Sequence, residues 1–272
     1  MVAFKNLNLS TEAKNAHAKV VAELERSALF ALLGERLGKL PPDLDLPPAN
    51  TIMDFGGPRP VEGKPPTDSA WSEMKEEFPE YCARYAILGM ITAFEIYLQR
   101  LLFIARLCHE ASQDNKMITG DTFHKIRKQC LKEVRNLSVD GVVIKISETI
   151  NCDISSTSGI KWFRSVYGLR KCLLHRGGVV GEEDINDKGI LTATWRKSVL
   201  SVNGKDITAL PILVKKGGML AISMVDEVRT WHTGEKLKLT AQDCQDIGMS
   251  LATFAGQITN ELNKGLVALL SP

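Results

Sequence analysis

The sequence lacks the signals that mark several classes of protein. Its formal net charge is only +2 over 272 residues, which does not by itself indicate a nucleic-acid-binding protein. The six cysteines are scattered and form no CxxC pair, so we predict reduced thiols, no metal site and no cofactor. The chain opens without an apolar signal core, and we therefore expect a cytoplasmic protein.

Uninterrupted hydrophobic runs are also missing. The most apolar stretch, residues 86–107, contains Glu95, Gln99, Arg100 and Arg106, a polar content that a membrane span would not tolerate. We therefore predict a buried helix there and no contact with a membrane. The length and the ordinary apolar and charged fractions are those of a globular protein with a full core.

Proline is scarce outside one segment. Residues 39–68 contain eight of the eleven prolines, so we expect no regular element there and assign the segment to an extended linker or strap. Residues 1–38 are predicted to form an N-terminal helical arm, and residues 69–272 the main domain. Within the arm, the apolar residues at helical spacing are Val20, Val21, Leu24, Ala28, Leu32 and Leu33.

Helical spacing dominates the first part of the main domain. Pro79 fits the first turn of a helix that runs to about residue 112. Another helix is expected to begin at the N-cap Asp121, and residues 160–174 form a third that ends at Gly177-Gly178. The apolar residues predicted to be buried by the Asp121 helix are Phe123, Ile126, Cys130, Val134 and Leu137.

The pattern changes to short β-rich runs at about residues 188–226. These runs are 190–195, 199–202, 207–214 and 219–224, and Asn203-Gly204 between two of them predicts a hairpin. Thr240 and Asp243 then form the capping box of a last helix. We therefore expect a mainly α fold, a helical bundle with a small antiparallel β-hairpin or sheet inserted before the last helix.

The candidate site lies in residues 162–180, around Arg170 and His175. The two residues are five positions apart, which is about 140° around a straight helix, but His175 falls in the last turn, before the Gly177-Gly178 break. The helix dipole favours a cationic imidazole there. A guanidinium that holds phosphate oxygens and a histidine that moves protons suit phosphate chemistry.

On this motif the sequence resembles the HEPN superfamily of small helical bundles, whose motif is an arginine, four to six residues, then a histidine. The resemblance covers roughly residues 69–268. It implies a metal-independent endoribonuclease, of toxin–antitoxin or phage-defence type, that acts as a homodimer whose two motifs meet in a cleft. Arg170 would bind the scissile phosphate and His175 would be the general acid or base, with Glu95 in support. Lys171 departs from the usual small polar residue, and it either adds phosphate affinity or marks lost catalysis.

Plainer interpretations compete at each position. His175 could only cap helix carbonyls, and Arg170 could form an ion pair with Glu95. A basic helix face could contact RNA, or could simply be solvated; it consists of Lys125, Lys128, Lys132 and Arg135. The alternative function is a non-catalytic HEPN-like module that binds a nucleotide, RNA or a protein such as an antitoxin.

Overall fold

The computed structural model describes residues 9–39, 51–54, 57–60, 68–113, 118–203, 205–206 and 219–270. These residues contain six α-helices: α1 (Leu9–Gly38), α2 (Asp68–Ser112), α3 (Gly120–Asn136), α4 (Val139–Ile150), α5 (Ile160–His175) and α6 (Ala241–Leu270). The strands are β1 (Thr51–Asp54), β2 (Gly57–Pro60), β3 (Ile190–Val202), β4 (Lys205–Asp206) and β5 (Leu220–His232). The predicted architecture, a mainly helical bundle with a small antiparallel sheet before the last helix, is confirmed.

The centre of the core is an aromatic cluster shared by three helices. Phe94 of α2 stacks on Phe163 of α5 and Phe254 of α6, with ring centroids 4.5 and 5.4 Å apart. Beside it, the Tyr97 hydroxyl donates to the Ala255 carbonyl at 2.8 Å and bonds to the Thr259 hydroxyl. Burial raises the pKa of Tyr97, so its hydroxyl stays protonated and able to donate.

The apolar stretch of α2 lies inside the bundle, as predicted. Residues 76–112 form one helix that is long and apolar enough to cross a membrane by length and composition, but half of its most apolar window is buried in the protein. Ile87, Ile91, Leu98 and Leu101 are inaccessible to solvent. Packing against the other helices therefore accounts for its composition, and the helix is weak evidence for a membrane protein.

The N-terminal helix α1 packs on α2 and α6 and contributes to the same core. Gly34 lies directly against Cys82 of α2, and Gly248 of α6 approaches the Leu24 carbonyl. Val20 and Leu24 are buried as expected, whereas Leu33 is 53% exposed. The predicted apolar face of α1 was therefore too wide, because only part of it meets the core.

Pro79 does not begin a helix, contrary to the prediction. It lies inside α2, which starts eleven residues earlier at Asp68. An internal proline removes one backbone N–H and costs about 3 kcal/mol. Gly34 of α1 packs against Cys82 and close to the Phe78 carbonyl, on both sides of the proline. We attribute the continuity of α2 to this packing, because tertiary contacts override local propensity.

Other predictions for the helices were partly wrong. The N-cap of α3 is Thr119, whose hydroxyl accepts from the Thr122 N–H at 3.2 Å, so Asp121 lies in the first turn. Leu137 is exposed because the helix ends before it. Ile126 and Cys130 are buried as predicted, while Phe123 and Val134 are partly buried. Helix α4 was not predicted.

A short hairpin interrupts the proline-rich segment, where no regular element was expected. β1 pairs antiparallel with β2, from Thr51 opposite Pro60 to Asp54 opposite Gly57. Proline is compatible with this arrangement because, among the described residues, each strand pairs on one side only, and a missing N–H on the other side breaks no ladder bond. The rest of residues 40–67 lies outside the described part of the chain.

The sheet before α6 has the order β4-β3-β5. The β3–β5 pair runs from Ile190 opposite His232 to Val202 opposite Leu220, so the two predicted runs 190–195 and 199–202 form one strand. β5 extends past the expected end at residue 224. The turn predicted at Asn203 joins β3 to β4, with Asn203 at φ 52°. The predicted run 207–214 lies outside the described residues.

Helix side chains cover the edge of β3 that does not face β5. The N–H groups of Thr194, Arg196 and Ser198 point away from β5 toward the helices. Their acceptors are the hydroxyl of Ser165 in α5, the hydroxyl of Ser250 in α6 and the carboxylate of Asp246 in α6. The sheet is therefore attached to the bundle by polar bonds as well as by the buried Trp195.

Candidate functional site

Helix α5 carries the predicted motif, and its apolar spacing sets the direction of each side chain. Phe163, Val166 and Leu169 recur at three-residue steps and are fully buried. Lys171 and His175 point to solvent, and Arg170 lies at the boundary between the two faces. Two residues of α2 approach α5 at its opposite ends. Phe94 stacks on Phe163 near the start of α5, and Arg84 approaches Gly177 just after the end of α5.

Arg170 lies beside Glu95, as the ion-pair interpretation predicted. Its Nε is 4.0 Å from Glu95 Oε1, and its guanidinium carbon is 5.9 Å from the centre of the Tyr167 ring. Burial raises the pKa of Tyr167, and the Glu95 carboxylate raises it further through its charge and a hydrogen bond. Glu95 thus orients both Tyr167 and the Nε side of Arg170.

The two Nη nitrogens of Arg170 make no hydrogen bond within the described part of the chain. The side chain is 39% exposed, and its only ion pair within the described residues is the long one through Nε. Neither Nη nitrogen donates a hydrogen bond to any described residue. Guanidinium N–H groups in this state can bind a phosphate bidentately.

His175 is the last residue of α5 and is exposed. The Arg176 and Gly178 N–H groups both donate to the Cys172 carbonyl at 3.1 Å, and Gly177 and Gly178 adopt φ values of 61° and 89°. The predicted glycine stop is therefore confirmed. No hydrogen bond or ion pair joins His175 to Arg170 in the described part of the chain.

Arg176 forms a charge cluster that the sequence interpretation missed. Its guanidinium bonds to both carboxylate oxygens of Asp184 and to Glu183, and Asp184 also accepts the Gly181 N–H at 2.9 Å. The side chain of Asp184 is almost fully buried, and the residue ends a short 3₁₀ turn at Glu182–Asp184. The sequence did contain a signal for this cluster, because the acidic run 182–184 begins six residues after Arg176, at the end of a predicted helix. This contact fixes the chain that follows the motif.

Arg84 of α2 borders the end of α5. A Cβ on Gly177 would lie 3.3 Å from its Nη1. The guanidinium carbon of Arg84 sits 5.4 Å from the centre of the Tyr81 ring and 5.1 Å from that of Tyr85. Arg84 is thus a cation at the Gly177 turn after α5, held by cation–π contacts with Tyr81 and Tyr85, and the sequence pattern did not single it out.

The thiol inside the motif, between Arg170 and His175, is structural. Cys172 is buried two residues after Arg170, and burial raises its pKa to about 11. A protonated thiol is a poor nucleophile. Cys172 therefore contributes packing and, through its carbonyl, the helix stop.

The predicted basic face lies on a separate part of the bundle. Lys125, Lys128 and Lys132 are exposed on α3, while the side chain of Arg135 lies outside the described residues. α3 packs on the end of α2 through the Phe103–Phe123 ring contact at 5.0 Å. Phe103 lies eight residues beyond Glu95, roughly 12 Å further along the helix axis. The basic face and Arg170 are not brought into direct contact.

Comparisons of the chain with known proteins identified no relative. No protein-family model, no curated protein and no solved structure matches the chain. Among the described residues, no group of three histidine, cysteine, aspartate or glutamate side chains is placed to hold a metal ion. The functional interpretation therefore depends on the geometry around Arg170 and His175 and on the motif itself.

Proposed function

We propose that this chain is a HEPN-type endoribonuclease that needs no metal, with Arg170 and His175 as its central residues. The observation that carries the proposal is the state of Arg170: Glu95 lies 4.0 Å from its Nε, while neither Nη nitrogen donates to any residue in the described part of the chain. An exposed imidazole stands five residues later, at the end of the same helix. Together they offer a phosphate anchor and a proton carrier.

The reaction that suits these groups is cleavage by the ribose 2′-hydroxyl of the substrate. Its oxygen forms a bond to the adjacent phosphorus, the bond from phosphorus to the 5′-oxygen breaks, and the products are a 2′,3′-cyclic phosphate and a 5′-hydroxyl. The proton leaves the 2′-oxygen and another is delivered to the 5′-oxygen; His175 carries one of these transfers as general acid or base. Arg170 stabilises the charge that develops on the phosphate oxygens.

Other parts of the chain fit roles in substrate binding. Lys171, exposed beside Arg170, would add phosphate affinity, and the α3 basic face of Lys125, Lys128, Lys132 and Arg135 would bind the backbone of a longer RNA. The resemblance adds a homodimer, a toxin or defence role, a cytoplasmic location and control by an antitoxin. These remain part of the proposal.

The test is cleavage of mixed-sequence RNA by the purified protein in excess EDTA. We expect cyclic-phosphate products from the wild type and a loss of at least about a hundredfold for His175→Ala and for Arg170→Ala, the scale of general acid–base and electrostatic contributions. Arg164→Ala is the matched control, because Arg164 is an exposed arginine of the same helix that pairs with Asp140. An inert wild type, or undiminished cleavage by His175→Ala, would overturn the catalytic assignment.

A second candidate is the non-catalytic binding module. The absence of a bond between Arg170 and His175 among the described residues favours it, because a binding site needs the arginine alone. RNA binding measured by fluorescence anisotropy separates the two. A module would lose affinity in Arg170→Ala, keep it in His175→Ala and leave the RNA intact in every variant.

A further inference from the structure

Two tyrosines of α2 lie on the surface of the bundle. Tyr81 and Tyr85 are four residues apart, so they occupy the same side of the helix, and each is 46% exposed. Their ring centroids lie 4.4 Å apart. A single exposed aromatic side chain is ordinary, but two in contact with each other form one extended ring surface.

Arg84 adds a positive charge to this ring surface. Its guanidinium carbon is 5.4 Å from the centre of the Tyr81 ring and 5.1 Å from that of Tyr85, so cation–π attraction holds the three side chains together. The nearby carboxylate of Glu80 pairs with Lys236 instead, at 2.7 Å. Within the described residues, no carboxylate therefore compensates the charge of Arg84.

These three residues of α2, which we call the aromatic platform, border the turn that follows the motif. A Cβ on Gly177 would lie 3.3 Å from the Arg84 Nη1. Gly177 follows His175 by two residues, which span at most about 7 Å of chain. The aromatic platform is therefore adjacent to the end of the helix that carries both motif residues.

Helical spacing relates the aromatic platform to Arg170. Arg84 and Glu95 are eleven residues apart, which is about three turns and leaves them only about 20° apart around the axis of α2. Glu95 lies 4.0 Å from the Arg170 Nε, so α5 follows the same border of α2 at both positions. The two positions are roughly 16 Å apart along α2, so a ligand reaches both only if it is longer than one nucleotide.

By the same spacing, two leucines lie between these positions. Leu88 follows Arg84 by one turn of α2 and is partly buried. Leu174 follows Arg170 by one turn of α5 and is 50% exposed. Both offer apolar contact to a base or a ribose, and neither carries a charge that would repel a phosphate.

A ring surface with an uncompensated cation matches the two halves of a nucleotide. The bases of single-stranded RNA stack on tyrosine rings and on guanidinium planes, while arginine also binds the phosphates. The bases of a duplex are stacked on one another and are not free to do this. The chemistry of the aromatic platform therefore favours a single strand.

We propose that the aromatic platform is a subsite for a nucleotide of single-stranded RNA that neighbours the nucleotides held at Arg170. The base stacks on the exposed ring surface of Tyr81 and Tyr85, and Arg84 donates to an adjoining phosphate. The subsite positions the RNA and takes part in no proton transfer. The inference rests on the proposed ribonuclease function, because that function makes RNA the ligand.

The test is the affinity for a short fluorescein-labelled single-stranded RNA of mixed sequence, measured by fluorescence anisotropy. The His175→Ala protein is used as the parent, so that the RNA stays intact. Tyr81→Leu and Tyr85→Leu in this parent should each weaken binding roughly fivefold to a hundredfold, the range of one lost base–aromatic stack. Tyr85→Phe keeps the ring and should bind as the parent does. Circular dichroism should show unchanged helix content, since both side chains are on the surface.

Two further probes separate stacking from attraction between charges. A ribose–phosphate chain without bases, and a duplex of the same sequence, should each bind the parent and its Tyr85→Leu variant equally. Arg84→Gln should reduce the slope of log affinity against log salt concentration by about 0.7, the value for one phosphate contact on a single strand. Arg164→Gln is the matched control, because Arg164 is an exposed arginine that pairs with Asp140, and it should leave the slope unchanged.

Cleavage kinetics give a readout that a purely structural role would not produce. With His175 present, Tyr85→Leu should raise KM and leave kcat unchanged, because the subsite binds the substrate and the transition state alike. Leucine variants that bind RNA as tightly as the parent, or that lose as much affinity for the chain without bases, would overturn the subsite, and cleavage by the wild type would still support the proposed function. RNA that binds through the tyrosines but is never cut would leave the subsite standing and remove the catalytic assignment. A protein that binds no RNA would overturn both.

Discussion

A carboxylate is buried after the end of α5, at Asp184, and another at the covered edge of β3, at Asp246. The two regions differ in how they offset the loss of water around the charge. Asp184 receives the guanidinium of Arg176 and the Gly181 N–H. Within the described residues, the hydrogen bonds to the Asp246 carboxylate are long ones, from the Ser198 N–H at 3.4 Å and the Gln242 amide at 3.3 Å. Both residues keep almost no exposed side-chain surface.

The difference shows what each carboxylate contributes. The charge of Asp184 is matched by an opposite charge, so it orders the chain after the motif. Burial raises the pKa of Asp246, and its hydrogen bonds only partly offset the effect. The ionised form of Asp246 therefore lowers the stability of the fold. The role of Asp246 at the β3 edge is to accept the Ser198 N–H, as Ser250 accepts the Arg196 N–H.

The largest effect is expected from Asp184→Asn. The substitution removes the charge that Arg176 faces and weakens the acceptor of the Gly181 N–H, so we expect the Tm to fall by roughly 5 °C. Glu183→Gln is the control: Glu183 also touches Arg176 but is 55% exposed, and such pairs contribute little. Thermal melts of both variants decide the matter, and equal shifts would contradict the view that the buried charge pair orders this turn.

A smaller effect is expected from Ser250→Ala at the β3 edge. The fully buried Ser250 hydroxyl accepts the Arg196 N–H at 2.8 Å, and its loss leaves that N–H without an acceptor. The expected loss of unfolding free energy is about 1 kcal/mol, measured by urea denaturation. Thr253→Ala is matched to it, because the exposed Thr253 hydroxyl donates to the Met249 carbonyl of its own helix. If both variants lose the same amount, the serine does not hold the sheet to the bundle.

The smallest effect, and one of opposite sign, is expected from Asp246→Asn. A carboxyl whose folded-state pKa is raised stabilises the fold below its unfolded pKa and loses that contribution as the pH rises through the folded value. The asparagine variant should therefore melt slightly higher than the wild type at neutral pH, with no advantage at acidic pH where Asp246 is protonated.

Asp226→Asn provides the contrast to this last variant. The hydrogen bond from Lys161 lowers the pKa of Asp226, so its contribution is present at neutral pH and is lost as the pH falls. Its neutral substitute should melt slightly lower than the wild type at neutral pH and match it in acid. Thermal melts across the pH range measure both differences, and identical pH profiles for the two variants would contradict the assignment.

Local features of the structure were predictable where a few neighbouring residues decide them. The stop of α5 follows from Gly177 and Gly178, which reach positive φ without strain. The start of α6 follows from Thr240 and Asp243, whose backbone N–H groups and side chains bond reciprocally at 2.8 and 3.1 Å. The spacing of the apolar residues of α2 likewise predicted a buried helix.

Features that depend on distant partners were not predictable. On local grounds Pro79 belongs in the first turn of a helix, yet it lies inside α2, where α1 packs on both sides of it. Leu33 repeats at the same spacing as the buried residues of α1, but it is 53% exposed, because periodicity does not distinguish a face packed against α6 from a face toward solvent. Arg84 reaches the end of α5 from nearly a hundred residues away.

The sequence by itself determined the mainly helical class, the position of the sheet, the end of α5 and the presence of Arg170 and His175 in one helix, because these depend on short-range spacing and turn chemistry. Only the tertiary structure decided that Tyr167 lies beside Arg170, that Asp184 occupies Arg176, and that Leu33 of α1 faces solvent. The physical reason is that charge compensation and burial depend on contacts between side chains that are distant in the sequence. Spacing along the chain does not specify those contacts.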